Sequence, residues 1–220
     1  MTGVKICGLR RKEDIEYVNC YLPHYIGLVF AKSKRQVSKE LAADLRAELA
    51  SDIKAVGVFV NEDALEVAEI TRYCGLDCIQ LHGDESPEYI ESLKEALHGE
   101  NIKRVEIWKA VRVRDEESVK SMSLYDVDAF LLDTYVEGSF GGAGKTFDWE
   151  LACLAKKYGK IILAGGLDTG NVSGAVGMVR PFAVDVSSGV ETDGFKDEVK
   201  ISSFIKEVKS VDDFMAQAVK

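Results

Sequence analysis

A single (β/α)8 barrel of the TIM type is the fold this 220-residue α/β sequence predicts, and three observations carry it. Short β-branched or apolar runs alternate with segments of helical periodicity, the runs number eight, and the length suits eight compact strand–helix units. Most of the runs are continuously apolar, as parallel strands covered on both faces are. No stretch rich in proline, glycine and serine and no block of charge divides the chain, so one domain over residues 1–220 is expected. An open doubly wound sheet is the alternative, because alternation alone does not prove closure. The count of eight favours the barrel.

The first run is VKIC from Val4, which ends on Cys7 and is followed by Gly8 and a helix-like segment. YIGLVF from Tyr25 is the second, and SKELAADLRAEL beyond it starts on Ser38, a good N-cap. The third run, IKAVGVFV from Ile53, leads into NEDALEVAEITRYCG, which the pattern caps at Asn61 and stops at Gly75. CIQLH from Cys78 is the fourth, followed by SPEYIESLKEAL with Ser86 as N-cap and Pro87 at the first helical position. EIWKAV from Glu106, AFLLD from Ala129, KIILAG from Lys160 and FAVDV from Phe182 complete the eight. The connection between Asn171 and Arg180 is short and glycine-rich, the weakest helical signal of the set.

Composition narrows the function classes. A net charge of −9 and a pI near 5.0 argue against a general binder of nucleic acid or anionic membrane, which needs a basic surface. An anionic small molecule stays compatible, because a local arginine or a helix N-terminus holds it within an acidic protein. The five cysteines (Cys7, Cys20, Cys74, Cys78 and Cys153) lack CxxC pairing and read as reduced thiols. With only three histidines in the chain, no metal site is expected around Cys74 and Cys78. No apolar signal segment or membrane-length run is present, so the expected location is the cytoplasm.

In a barrel of this kind chemistry sits at the C-terminal strand ends and the loops beyond them. Those ends carry Cys7-Gly8, then Ser33-Lys34-Arg35, Gln80-Leu81-His82-Gly83, Asp133-Thr134, Gly165-Gly166, and Asp185 with Ser187-Ser188-Gly189. Polar and glycine residues gather there, and the opposite ends show ordinary loop composition. Adjacent loops LAGGL and VDVSSGVE read as a phosphate seat: glycines let backbone approach an anion, and Ser187 and Ser188 add hydroxyls and amides. A tight turn is the plain alternative for one such loop; two neighbours favour phosphate.

Cys7 and Asp133 end strands on opposite sides of the mouth, a thiol facing a carboxylic acid, and could move protons on either side of a ligand. Read singly, Cys7 packs and Asp133 caps or pairs. Asp185 serves equally as an organiser of the eighth strand, Arg35 as a carboxylate clamp or a solvated arginine, and His82 as a packed ring. The glycine-rich segment GSFGGAGK lacks P-loop spacing, which argues against a nucleotide site, and is expected to form a lid.

Taken together, KICGLR, GLVFAKSKRQVS, VGVFVN, IQLHGDE, FLLDT, GGAGKTFDW, LAGGLDTGNV and VDVSSGVETDGFKD resemble the phosphoribosylanthranilate isomerase family of tryptophan biosynthesis, in order from Lys5 to Asp197. One departure is Lys34, where the family often has proline; Arg35 keeps its place. The resemblance implies a cofactor-free Amadori rearrangement of N-(5′-phosphoribosyl)anthranilate, a small-molecule substrate, by a monomer or homodimer. By similarity Asp133 is the acid, Cys7 the base, and Arg35 the holder of the anthranilate carboxylate. Gly166, Ser187, Ser188 and Gly189 would hold the phosphate. Asp185 would orient the ligand or its ribose hydroxyls, and His82 would wall the anthranilate pocket. The related histidine-pathway isomerase would use two aspartates, against which Cys7 stands. A non-catalytic barrel kept as a scaffold is opposed by the intact set of Cys7, Arg35 and Asp133.

Overall fold

Strands β1 (Gly3–Cys7), β2 (Tyr25–Val29), β3 (Lys54–Phe59), β4 (Cys78–Leu81), β5 (Glu106–Arg112), β6 (Ala129–Asp133), β7 (Lys160–Ala164) and β8 (Ala183–Val186) pair in chain order and close into a barrel. The computed structural model describes residues 1–133 and 149–218. Closure is explicit: β8 lies parallel against β1, with Val4 opposite Val184 and Lys5 opposite Asp185. This pairing excludes the open sheet.

Helices α1 (Lys12–Tyr21), α2 (Lys39–Glu48), α3 (Ala64–Cys74), α4 (Pro87–Gly99), α5 (Glu116–Lys120), α6 (Trp149–Ala155), α7 (Val172–Val179) and α8 (Glu198–Ala218) follow the strands in turn. Ser38 and Ser86 cap α2 and α4 as their sequence suggests, accepting from the Leu41 and Tyr89 amides. The expected cap of α3 is corrected. Asp63, not Asn61, accepts from the Leu65 and Glu66 amides. Asn61 instead sits at φ 51° in the preceding loop, a left-handed conformation that asparagine tolerates, and its side chain accepts from the Asp84 amide. The glycine-rich 171–180 connection does form α7, whose buried Val172, Ala175, Val176 and Val179 repeat at helical spacing.

One element escaped the strand count. Beyond β8 the chain folds into a small hairpin, β9 (Glu191–Thr192) with β10 (Phe195–Lys196). Its turn is Asp193-Gly194, both with positive φ, the Asp-Gly pattern of a tight hairpin. Arg10 and Arg11 stack over the Phe195 ring at 4.6 and 4.5 Å, and each donates to a hairpin carbonyl. The hairpin is thereby fixed against the loop after β1.

The core forms two layers. Alternate residues of the strands point inward, where Tyr25, Val56, Cys78, Trp108, Leu131, Ile162 and Ala183 fill the barrel. The intervening residues point outward and pack against the helices. Trp108 is fully buried and meets Tyr25 edge-on, centroids 4.9 Å apart. Within the described residues no helix is long and apolar enough to cross a membrane, and all five cysteines are free. The expected lid at 138–145 lies outside the described residues.

The loop after β4 hangs on a buried ion pair. Glu85 accepts from the Asn61 and Gly83 amides and from Lys109 Nζ at 3.0 Å. Lys109 also donates to the Gly83 carbonyl at 2.8 Å, and both side chains are almost wholly buried. Glu85→Ala leaves the ammonium without its carboxylate, so a loss of about 3–5 kcal/mol is expected in urea unfolding. An unchanged midpoint would show that the pair does not support this loop.

Candidate active site

Period-two alternation decides which residues reach the mouth. Continuing the inward face of each strand gives Cys7 from β1, Val58 from β3, Gln80 and then His82 from β4, Asp133 from β6, Gly166 beyond β7, and Asp185 and then Ser187 from β8. These residues line one cavity of about 390 Å³, together with Arg35 and Ser188. Of the nine residues anticipated from sequence, Gly189 alone stands outside that lining. It pairs with Asp168, and a Cβ there would overlap the Leu167 carbonyl oxygen, so its role is to let the loops after β7 and β8 touch. A larger groove of about 1210 Å³ lies outside the barrel between α3 and α4, where Glu62, Glu66, Glu69 and Glu95 line it with like charge. The mouth cavity, with its mixed donors and acceptors, is the candidate.

Cys7 is buried against strand β2, and Gly27 makes room for it. A Cβ at Gly27 would stand 2.6 Å from Cys7 Sγ and 3.2 Å from Lys5 Nζ. Lys5 is completely buried and pairs with Asp185 at 2.8 Å. Burial pushes the Cys7 thiol up, and the neighbouring Lys5 and Lys196 ammonium groups oppose this without fully cancelling it. For Lys5, burial acts downward, but Asp185 and Cys7 together outweigh it and raise the group.

Arg35 is not a solvated surface residue. Its Nε and Nη2 donate to the two oxygens of Glu191, each at 2.7 Å. The guanidinium fork that the sequence suggests for a ligand carboxylate is, in this structure, closed on Glu191. Lys196, also buried, donates to Glu191 at 2.7 Å and to the Ser187 carbonyl at 3.0 Å. Burial pushes the Glu191 carboxyl up, but Arg35 and Lys196 outweigh it and hold it at about 2. Ser187 Oγ donates to the Cys7 carbonyl at 3.0 Å, tying the hairpin, β8 and β1 into one network.

On the opposite wall Gln80 Nε2 lies 2.8 Å from His82 Nδ1. The other nitrogen of the His82 ring, Nε2, faces β6. Nε2 stands 3.5 Å from Asp133 Oδ2. His82 thus touches the carboxylate assigned to acid chemistry.

Two loops frame the remaining side. Gly165 and Gly166 have φ 82° and 66°, backbone that side chains rarely adopt, and turn the chain sharply at the end of β7. Asp168 then accepts from the Gly170 and Asn171 amides and leads into α7. Sequence reading missed Lys5, Glu191 and Lys196, and placed Gln80 at the mouth without giving it a role. Lys5 was findable, because a lysine two residues before Cys7 in an otherwise apolar strand shares its inward face.

Gly27→Ala places a methyl against the thiol and is expected to leave the barrel folded while cutting turnover at least tenfold. Activity with circular dichroism checks it; unchanged turnover in the folded variant would mean that the thiol position is not critical.

The comparisons with known proteins identify the family. The family model for N-(5′-phosphoribosyl)anthranilate (PRA) isomerase matches residues 4–207. The curated N-(5′-phosphoribosyl)anthranilate isomerase of Acetivibrio thermocellus is 62% identical over 213 residues, covering 96% of this chain and 98% of its own length. The crystal structure of phosphoribosyl anthranilate isomerase from Thermotoga maritima superposes with a TM-score of 0.83 at 39% identity, over 96% of this chain and 100% of that one. A crystal structure of such an isomerase in complex with reduced 1-(o-carboxyphenylamino)-1-deoxyribulose 5-phosphate gives 0.81 at 37% identity, with the same coverage. On sequence, fold and match length together, the chain belongs to the N-(5′-phosphoribosyl)anthranilate isomerase family.

Proposed function

We propose that the mouth cavity carries out the Amadori rearrangement of N-(5′-phosphoribosyl)anthranilate to 1-(2-carboxyphenylamino)-1-deoxyribulose 5-phosphate, a step of tryptophan biosynthesis. Family membership supports the reaction. The observation that carries the residue assignment is that Cys7 and Asp133, from β1 and β6, line one cavity.

The chemistry needs an acid and a base. Asp133 donates a proton to the ribose ring oxygen, the bond from C1′ to that oxygen breaks, and the nitrogen lone pair forms the Schiff base. Cys7, as thiolate, then removes the proton from C2′, and the electron pair forms the C1′=C2′ enolamine. Protonation at C1′ and loss of the 2′-hydroxyl proton give the ketone. Carbon C1′ is reduced and C2′ oxidised within one molecule, so the balance calls for no external oxidant or reductant.

The remaining residues hold the substrate. With Nε and one N–H of Nη2 of Arg35 engaged by Glu191, the N–H groups of Nη1 and the second of Nη2 face the anthranilate carboxylate. His82 walls the anthranilate pocket and orients Asp133. Gly166, Ser187 and Ser188 receive the phosphate, with Gly189 bringing their loops together. Asp185 orients the ribose through the carboxylate edge that Lys5 leaves available. The enzyme acts in the cytoplasm as a monomer or homodimer.

Following the fluorescence of freshly made phosphoribosylanthranilate tests the reading. Cys7→Ser and Asp133→Asn should each lower kcat by about 10²-fold or more while remaining folded. Near wild-type turnover in either variant overturns that residue's role; failure of the wild-type enzyme to consume this substrate, or preference for the imidazole analogue, overturns the reaction. Because burial raises the Cys7 thiol, kcat should climb with pH at values above those of an ordinary thiol; a flat profile there would contradict thiolate catalysis.

A further inference from the structure

Cys7 lies in a buried place that disfavours a thiolate, yet the proposed chemistry requires one. Among the described residues, the charged groups that face it are Lys5 from β1, Asp185 from β8, Lys196 from β10 and Arg35 from the loop after β2. Two of the three cations are lysines with almost no solvent contact. Burying an ammonium is costly unless a partner offsets it; acidic neighbours outweigh burial at Lys5, whereas at Lys196 burial still exceeds the pull of Glu191 and pushes the group below the usual lysine range. Lys5 is held by Asp185 at 2.8 Å and Lys196 by Glu191 at 2.7 Å.

We propose that Lys5 and Lys196, each anchored by its own carboxylate, are positioning residues that form a buried cationic cradle for the Cys7 thiolate. The inference rests on the base role given to Cys7 above. Period-two alternation places Lys5 and Cys7 on the same inner face of β1, and their side chains converge over Gly27, where an added Cβ would meet both. Lys196 reaches the other flank. Its ammonium donates to the Ser187 carbonyl at 3.0 Å and to Oγ at 3.4 Å, and Ser187 Oγ donates to the Cys7 carbonyl. The carboxylates are turned to the lysines, so each pair is close to neutral while the thiol is protonated. When Cys7 loses its proton, both ammonium groups act favourably on the new negative charge. The field is fixed before the reaction begins, which is where electrostatic support is most effective. Both lysines lower the cost of thiolate formation, and burial with Asp185 raises it. Removing either lysine therefore moves the balance one way, toward the thiol.

Lys5→Met and Lys196→Met keep the length of the buried stem and remove the charge. Iodoacetamide alkylation of Cys7, read by mass spectrometry of its own peptide so that Cys20 and Cys153 do not interfere, gives the thiolate fraction across pH. In each variant the midpoint should rise by about one pH unit or more, a tenfold or greater loss of alkylation rate on the acid side. The rising limb of kcat should move by the same amount, and activity should recover at high pH, which lost packing would not produce. Unmoved midpoints in both folded variants overturn the cradle. If Lys5→Met does not fold, Lys196→Met carries the test, since Arg35 still pairs with Glu191. A shifted alkylation midpoint with an unshifted kcat profile keeps the cradle and overturns the base role of Cys7.

Discussion

Lys5 and Asp185 meet where the barrel closes. They are register partners across β1 and β8, both inward-facing, and their charges pair at 2.8 Å with Lys5 wholly buried. An ammonium at that depth without its carboxylate would cost several kcal/mol. The register that joins the first strand to the last is therefore the register that neutralises the interior. A slip of one residue would turn every side chain of β1 to its other face. Lys5 would lose Asp185, and Cys7 would leave the mouth. Closure, charge balance and the placement of the thiol are one constraint.

From that constraint the rest of the mouth follows. Strand ends are stiff, so Cys7 and Asp133 arrive from β1 and β6 with little freedom, and a rigid frame is what acid–base catalysis requires. The parts that recognise the ligand come from loops. Arg35 reaches the site from beyond β2 and is held in place by Glu191 from the β9–β10 hairpin, itself clamped by Arg10 and Arg11. The same Glu191 anchors Lys196, so one carboxylate organises a substrate-binding cation and a cation beside the thiol. The pull of two cations on Glu191 keeps it ionised far below the ordinary carboxylate range.

Much of this was legible in the sequence because barrel strands announce themselves locally. Continuous apolar runs, Ser38 and Ser86 as caps, and polar residues at strand ends predict the eight units and eight of the cavity residues without long-range information. What was missed depended on contacts. Asn61 looked like a cap because asparagine caps helices well, but Glu85 and Asp84 engage it in a loop and Asp63 takes the cap. Arg35 read as solvated or as a clamp, since its partner lies 156 residues away in a hairpin that only the Asp193-Gly194 pair hints at. Lys5 went unread although its spacing from Cys7 marks the same inward face, and the partner that neutralises it, Asp185, lies on the last strand.

The central claim is that Cys7 and Asp133 act on one ligand from two sides. A crystal structure of this protein with a reduced, non-reactive product analogue in the mouth tests it most directly. Cys7 Sγ should lie against the C2′ carbon and a carboxylate oxygen of Asp133 within about 2.6–3.2 Å of the oxygen released by ring opening, on opposite faces of the ligand. An analogue seated with its C2′ carbon turned away from Cys7, or with both groups on one face, would contradict it.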